Sequence, residues 1–289
     1  MATMRQIRTR IRVAGNIAQI TGAMEMVAAA RLKRAQDRVT AARPYVSSMG
    51  EIVAQIVRRS RDLPANPLME PPSNGSVGIL AITGDRGLCG SYNSGVIRRT
   101  MDLVREVGAE HARLVVIGRK GAAFFGRRGF DVLNAPIEDA GRLGFAEAQA
   151  TANYLIDEFL QRRFQRILIV YTRFISPIAQ EPTVEPFLPM APGAEADGAA
   201  GNEQKIIAEP PLAVLASRLI PRYLTTRVYQ AMLESAASEH GARMTSMSSA
   251  TDNASKMIST LTLELNRARQ AAITKEISEI VSGAEALKS

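Results

Sequence analysis

The chain has one cysteine, two histidines and no tryptophan in 289 residues. A lone Cys89 excludes an intramolecular disulfide and a cysteine-based metal cluster. His111 and His240 are too few and too far apart for a histidine metal site. No Gly-Lys dipeptide occurs, which removes the P-loop. No apolar run approaches the roughly 18 residues that a membrane-spanning helix needs. The start, Met1-Ala2-Thr3-Met4-Arg5, lacks the apolar core of a signal peptide, so a cytosolic chain without direct bilayer insertion is expected. No Ser/His/Asp set, carboxylate pair or metal-ligand spacing emerges. The reading is a non-enzyme with no catalytic residue, no cofactor and no metal.

Proline is also absent from 222–289, and that stretch holds only Gly241 and Gly283. What fills it is an apolar seam. One row is Leu233, His240, Met247, Ala254, Leu261 and Ala268; the other is Ala237, Met244, Thr251, Ile258, Leu265 and Ala272. Two heptad rows offset by four residues are the stripe of a coiled coil. As helix the stretch would span roughly 100 Å, at 1.5 Å per residue, and needs a partner along it. The partner is expected at the other chain end. Residues 3–43 read as one helix on Ile7, Ile11, Ala14, Ile17, Thr21, Met24, Ala28, Leu32, Ala35, Val39 and Ala42. Pro44 is expected to kink or briefly interrupt it before Val46, Met49, Val53 and Ile56 resume the pattern. The fold class is therefore α/β: a long antiparallel coiled coil of the terminal helices plus a Rossmann-like middle domain. The expected division is 1–60 coiled-coil helix, 61–76 linker, 77–188 α/β domain, 189–211 linker and 212–289 coiled-coil helix.

The middle domain is inferred from strand runs at Val77–Thr83, Arg113–Gly118 and Arg166–Thr172, with an edge strand at Thr183–Phe187. Helical stretches at Ser94–Val107, Gly121–Arg127 and Phe145–Arg163 lie between them, so a mostly parallel sheet covered on both faces is expected. The segment Gly84-Asp85-Arg86-Gly87-Leu88-Cys89-Gly90-Ser91-Tyr92-Asn93 has the wrong glycine spacing for a dinucleotide fingerprint and reads as a tight turn needing positive φ. Gly118-Arg119-Lys120-Gly121 reads as a solvated basic loop. Cys89 reads as a small packing residue. Net charge is +8, and residues 1–60 carry 11 Lys/Arg against 3 Asp/Glu. Such a face suits nucleic acid, anionic lipid, an acidic partner, or simply water.

Several separated motifs resemble the gamma subunit of F-type ATP synthase. They are Ile17-Ala18-Gln19-Ile20-Thr21-Gly22-Ala23-Met24-Glu25-Met26-Val27-Ala28-Ala29-Ala30-Arg31-Leu32, then Arg43-Pro44-Tyr45, then Asp85-Arg86-Gly87-Leu88-Cys89-Gly90. Later come Glu234-Ser235-Ala236-Ala237-Ser238-Glu239-His240, Ala250-Thr251-Asp252-Asn253-Ala254, and Asn266-Arg267-Ala268-Arg269-Gln270-Ala271-Ala272-Ile273-Thr274-Lys275-Glu276-Ile277. Ser91 and Leu265 depart from the family pattern, and 189–211 matches it poorly. The resemblance implies a rotor stalk that transmits torque between an ion-driven membrane ring and a hexamer of alternating alpha and beta subunits. Implied partners are the alpha and beta subunits, the epsilon subunit and the c-ring, with catalysis in the beta subunits and no nucleic acid. It also implies a peripheral position on the cytoplasmic face of a bacterial inner membrane. Matching positions make Met24 face an acidic beta segment, and make Arg269 and Gln270 a catch for a beta loop, with Thr274 and Glu276 on the same patch. Two other readings stand beside it: a Rossmann-type nucleotide-binding enzyme with a coiled-coil arm, and a basic coiled-coil tether for nucleic acid.

Overall fold

The computed structural model describes residues 3–58, 66–134, 144–190, 209 and 211–286. The linker expected at 189–211 lies almost wholly outside them, as does 61–65 of the one expected at 61–76. The elements are α1 (Met4–Arg58), β1 (Ser76–Ile82), α2 (Tyr92–Val107), β2 (Ala112–Ile117), α3 (Arg119–Gly126), β3 (Val132–Asn134), α4 (Phe145–Leu160), β4 (Phe164–Phe174), β5 (Gln180–Leu188) and α5 (Leu212–Ala286). They form two compact units, 1–28 with 244–289, and 29–243.

In the second unit the sheet order is β3-β2-β1-β4-β5. The first four strands are parallel, and β5 pairs antiparallel with β4 at the edge. Strand side chains alternate between two cores, as a period of two requires. Val77, Ile79, Ala81, Leu114, Val116, Leu168 and Val170 meet Val96, Leu103 and Val104 of α2 and Phe125 of α3. Leu80, Ile82, Val115, Ile117, Ile167 and Ile169 meet the other face, built by Ala148, Ala152, Leu155 and Phe159 of α4. Val53, Ile56 and Val57 of α1 and Ala216, Ile220, Leu224 and Val228 of α5 complete that second core. Fully burying each of the larger side chains contributes about 1.5–3 kcal/mol. The edge strand contains Pro182 and Pro186, which lack N–H donors and are tolerated at an edge. The three-residue β3 is too short to show a period and was not foreseen.

The first unit comprises the free ends of α1 and α5. Its buried and half-buried residues on α5 include Met244, Met247, Thr251, Ala254, Ile258, Leu261, Leu265, Ala268 and Ala272, the two heptad rows in step, with Ser246, Ser248 and Ala250 half-buried beside them. On α1 the rows are Ile7, Ala14, Thr21 and Ala28 against Met4, Ile11, Ala18 and Glu25. Thr21 meets Thr251 hydroxyl to hydroxyl. Within the second unit, Arg31 of α1 lies near enough to His240 of α5 for its charge to act on it, whereas Val53, Ile56 and Val57 share a core with residues near 220. There partners climb α1 as they descend α5, so those stretches run antiparallel.

Two expectations need correction. Ile17 is 48% exposed; the seam passes through Ala18 beside it. The brief interruption allowed for at Pro44 does not occur either, since the helix continues through it. Proline removes one backbone bond and costs about 3 kcal/mol inside a helix. Buried Leu32 and Val39 before it and Val53, Ile56 and Val57 after it hold both sides in place.

Candidate subunit-interface surfaces

In the first unit Arg269, Gln270, Thr274 and Glu276 are all exposed, and Met24 is half-buried on α1. Thr274 lies one turn beyond Gln270 and donates its hydroxyl to the Gln270 carbonyl at 3.0 Å. Arg269 and Glu276, seven residues apart, fall on one side of α5, separated by roughly 10 Å of rise. Among the described residues Arg269 forms no ion pair. The ion pair on this stretch is Lys275–Glu279, at 3.6 Å and well exposed, worth little in water. Among the described residues no hydrogen bond or ion pair joins Met24 to the other four.

The same unit exposes apolar residues that the sequence reading did not pick out as a surface. On α1 they are Val13, Ile17, Ile20, Met26 and Val27. Val13, Ile17, Ile20, Met24 and Val27 each stand one residue ahead of a seam position, which rotates them about 100° from it. On α5 Ile273, Ile277, Ile280 and Val281 are exposed too. Contiguous exposed apolar side chains mark a protein-binding surface. The signal was readable: a second heptad stripe, one residue out of step with the first.

In the second unit the Gly84–Asn93 turn is occupied by the protein itself. The α3 amide of Arg119 donates to Asp85 Oδ1 at 2.9 Å, Lys120 N–H donates to Gly84 O at 3.1 Å, and Gly121 N–H donates to Thr83 Oγ1 at 3.0 Å. A helix N-terminus offers its unbonded N–H groups to anions. At α3 the first three are already bonded within the chain. Gly118 sits at φ +95° with Thr83 O only 2.1 Å from where a Cβ would be, so this corner requires glycine. In the turn itself Leu88 (φ 61°) and Gly90 (φ 54°) carry the positive φ expected of it.

The turn is bolted to α5, which joins two motifs about 150 residues apart. Arg243 Nη2 donates to Gly87 O at 3.3 Å and also bonds Glu239 Oε1. Asn93 accepts Gly84 N–H at 2.8 Å and donates to Arg86 O at 3.2 Å. Cys89, Tyr92 and Ala242 pack together beneath, and burial raises both the thiol and the phenol above their ordinary pKa values. Along the same helix face Glu234 Oε2 accepts Phe174 N–H at 3.3 Å, and Ser238 donates to Thr172 O at 3.2 Å. His240 is held neutral, its pKa lowered to about 4 by burial and then by the charges of Arg243 and Arg31. Among the described residues no group of three or more His, Cys, Asp or Glu side chains is placed to hold a metal. No described helix is long and apolar enough to cross a membrane.

A paired-helix coil with exposed apolar side chains beside its seam, and an α/β unit braced against the middle of α5, are features of a protein-binding chain. The sequence matches the ATP synthase family over residues 3–287. It is 43% identical to the ATP synthase gamma chain of Moorella thermoacetica over 288 residues, all of both chains. It is 40% identical to that of Desulforamulus reducens over 288 residues, again all of both chains. The chain belongs to the ATP synthase gamma-chain family. In fold it is similar to a chain of the central stalk and c-ring of Tetrahymena thermophila mitochondrial ATP synthase, with TM-score 0.58 and 24% identity, covering 80% of this chain and 99% of that one. It is similar also to a chain of the Euglena gracilis mitochondrial complex of OSCP, F1 and c-ring, with TM-score 0.53 and 16% identity, covering 92% and 95%.

Proposed function

We propose that this chain is the central rotor stalk of an F-type ATP synthase, carrying torque between an ion-driven ring and a catalytic hexamer of alpha and beta subunits. End-to-end identity of about two residues in five with gamma chains carries the reading. The chain is non-catalytic, and its complex is membrane-bound with this subunit peripheral to it. Its partners are the alpha and beta subunits, the epsilon subunit and the c-ring. The finer placement, on the cytoplasmic face of a bacterial inner membrane, is supported by the full-length match to the Moorella and Desulforamulus chains.

The functional division follows the sequence reading. Segments 1–60 and 212–289 act as the shaft, 77–188 as the base that receives epsilon and the ring, and 61–76 and 189–211 as connections. Met24 faces an acidic beta segment, and Arg269, Gln270, Thr274 and Glu276 form a rotor–stator catch. The exposure of the four α5 residues supports this, since none is spent on the coil seam. The deciding experiment reconstitutes the chain with its alpha, beta and epsilon subunits and follows a probe fixed to the middle unit. ATP-driven, unidirectional rotation is expected; turnover without rotation of the probe would overturn the reading.

A further inference from the structure

We propose that the outer face of α3 is a docking site for an acidic polypeptide segment of a neighbouring subunit. This site involves neither terminal helix and stands whichever way the rotor reading falls. Two rows run along the helix and into the turn that follows it, Arg119–Ala123–Arg127 and Lys120–Phe124–Arg128, because residues four apart on a helix share a face. Arg119, Lys120, Ala123, Arg127 and Arg128 are exposed, and Phe124 is half-buried. Exposed Arg86 adds a fifth cation from the turn packed beside the first helical turn, where Lys120 approaches Gly87.

The face is therefore cationic at both ends with an apolar centre. Arg128 lies over the Phe124 ring, 3.8 Å from its centroid, which fixes a guanidinium beside that centre. One of these cations is already paired: Arg119 meets Asp85, at 3.6 Å and through its backbone N–H. Asp131 is taken by Arg113 at 3.2 Å. Among the described residues Lys120, Arg127 and Arg128 form no ion pair.

The chemistry of the occupant follows from what α3 does not offer. A phosphate or nucleotide needs converging backbone N–H groups, and the first three of this helix are consumed by Asp85, Gly84 and Thr83. What remains is a set of side-chain cations spread over roughly 12 Å of helix, at 1.5 Å per residue. An acidic peptide with an apolar residue between its carboxylates matches both the spacing and the Ala123–Phe124 centre.

The test uses the full chain and a labelled peptide of alternating glutamate and leucine, about twelve residues long so that it exceeds the helix. Its glutamine counterpart, inorganic phosphate, and phosphatidylcholine vesicles containing phosphatidylglycerol are run alongside. Lys120→Glu with Arg127→Glu and Arg128→Glu should weaken peptide binding at least about tenfold, and added salt should weaken binding to the unmodified chain. Reversing Arg5, Arg8 and Arg12 to Glu changes net charge equally and should leave affinity within about twofold. Equal loss in both variants, no loss, or equal binding of the glutamine peptide overturns the proposal. So does α3-dependent binding of vesicles or phosphate without the peptide. Should the triple reversal not fold, Lys120→Gln with Arg127→Gln gives the same comparison, with the same outcomes deciding it.

Discussion

Thr21 and Thr251, 230 positions apart in the chain, place their hydroxyl oxygens 2.7 Å from each other across the coil. Each also lies within reach of its own helix: Thr21 Oγ1 is 2.9 Å from Ile17 O, and Thr251 Oγ1 is 2.9 Å from Met247 O. Two hydroxyl protons serve these contacts, so one crosses the seam and the other returns to its helix. Thr21→Val should therefore cost about 0.5–1.5 kcal/mol, and the double change with Thr251→Val should cost less than the sum. Thermal melts of the full chain check this; strict additivity would show that the bond across the seam contributes nothing.

Met24→Lys should impair coupling more than hydrolysis. A lysine opposite an acidic segment adds an ion pair worth a few kcal/mol when desolvated, and it holds a surface that must let go. Proton pumping per ATP, measured in reconstituted vesicles, is expected to fall. An unchanged ratio would remove Met24 from that interface.

Arg269→Ala with Gln270→Ala should leave the melting temperature of the isolated chain nearly unchanged, because both side chains are exposed. In the assembled complex, loss of a charge-assisted contact costs roughly 2–5 kcal/mol, so multisite ATP turnover should drop sharply. A lower melting temperature with intact turnover would make the pair structural instead.

Stability should depend on pH through His240. Its folded pKa, about 4, is below the ordinary 6.5, so the unfolded state binds the proton first. The stabilising contribution is complete above pH 6.5, declines as pH falls towards 4, and is constant below that. Denaturant unfolding of His240→Gln should show this slope flattened, by on the order of 2 kcal/mol across the window. An unaltered slope would move the effect to another group.

The isolated chain should give no saturable heat with ATP or NAD at millimolar concentration, since it has no Gly-Lys pair, the 84–93 turn lacks the dinucleotide glycine spacing, and the α3 amides are already bonded. A micromolar site would contradict that assignment.

The α5 seam was legible because Met244 to Ala272 repeat without a break, and the off-seam apolar residues Met257 and Leu263 form no repeat of their own. The α1 seam was half legible. Ala18 and Glu25 occupy its second row, and neither advertises burial, while Ile17 beside them looks like core and is not. The sheet followed from its β-branched runs, except β3, whose three residues fall below any period. The clamp of Arg243 on the Gly87 carbonyl could not be read, because no local pattern reports a contact over 156 positions. Candidate interface residues came from matching motifs; the apolar stripe of Val13, Ile20 and Val27 was masked by the seam it accompanies.

Pro182 and Pro186 lie in β5, the strand at one edge of the sheet. Each lacks the N–H that a visiting strand would need as a donor. Copies crowded together are thereby hindered from recruiting one another by extending the sheet at β5. A partly unfolded neighbour is poorly templated there for the same reason. That edge favours partners held by side chains, which can be exchanged during assembly without prising apart a backbone ladder.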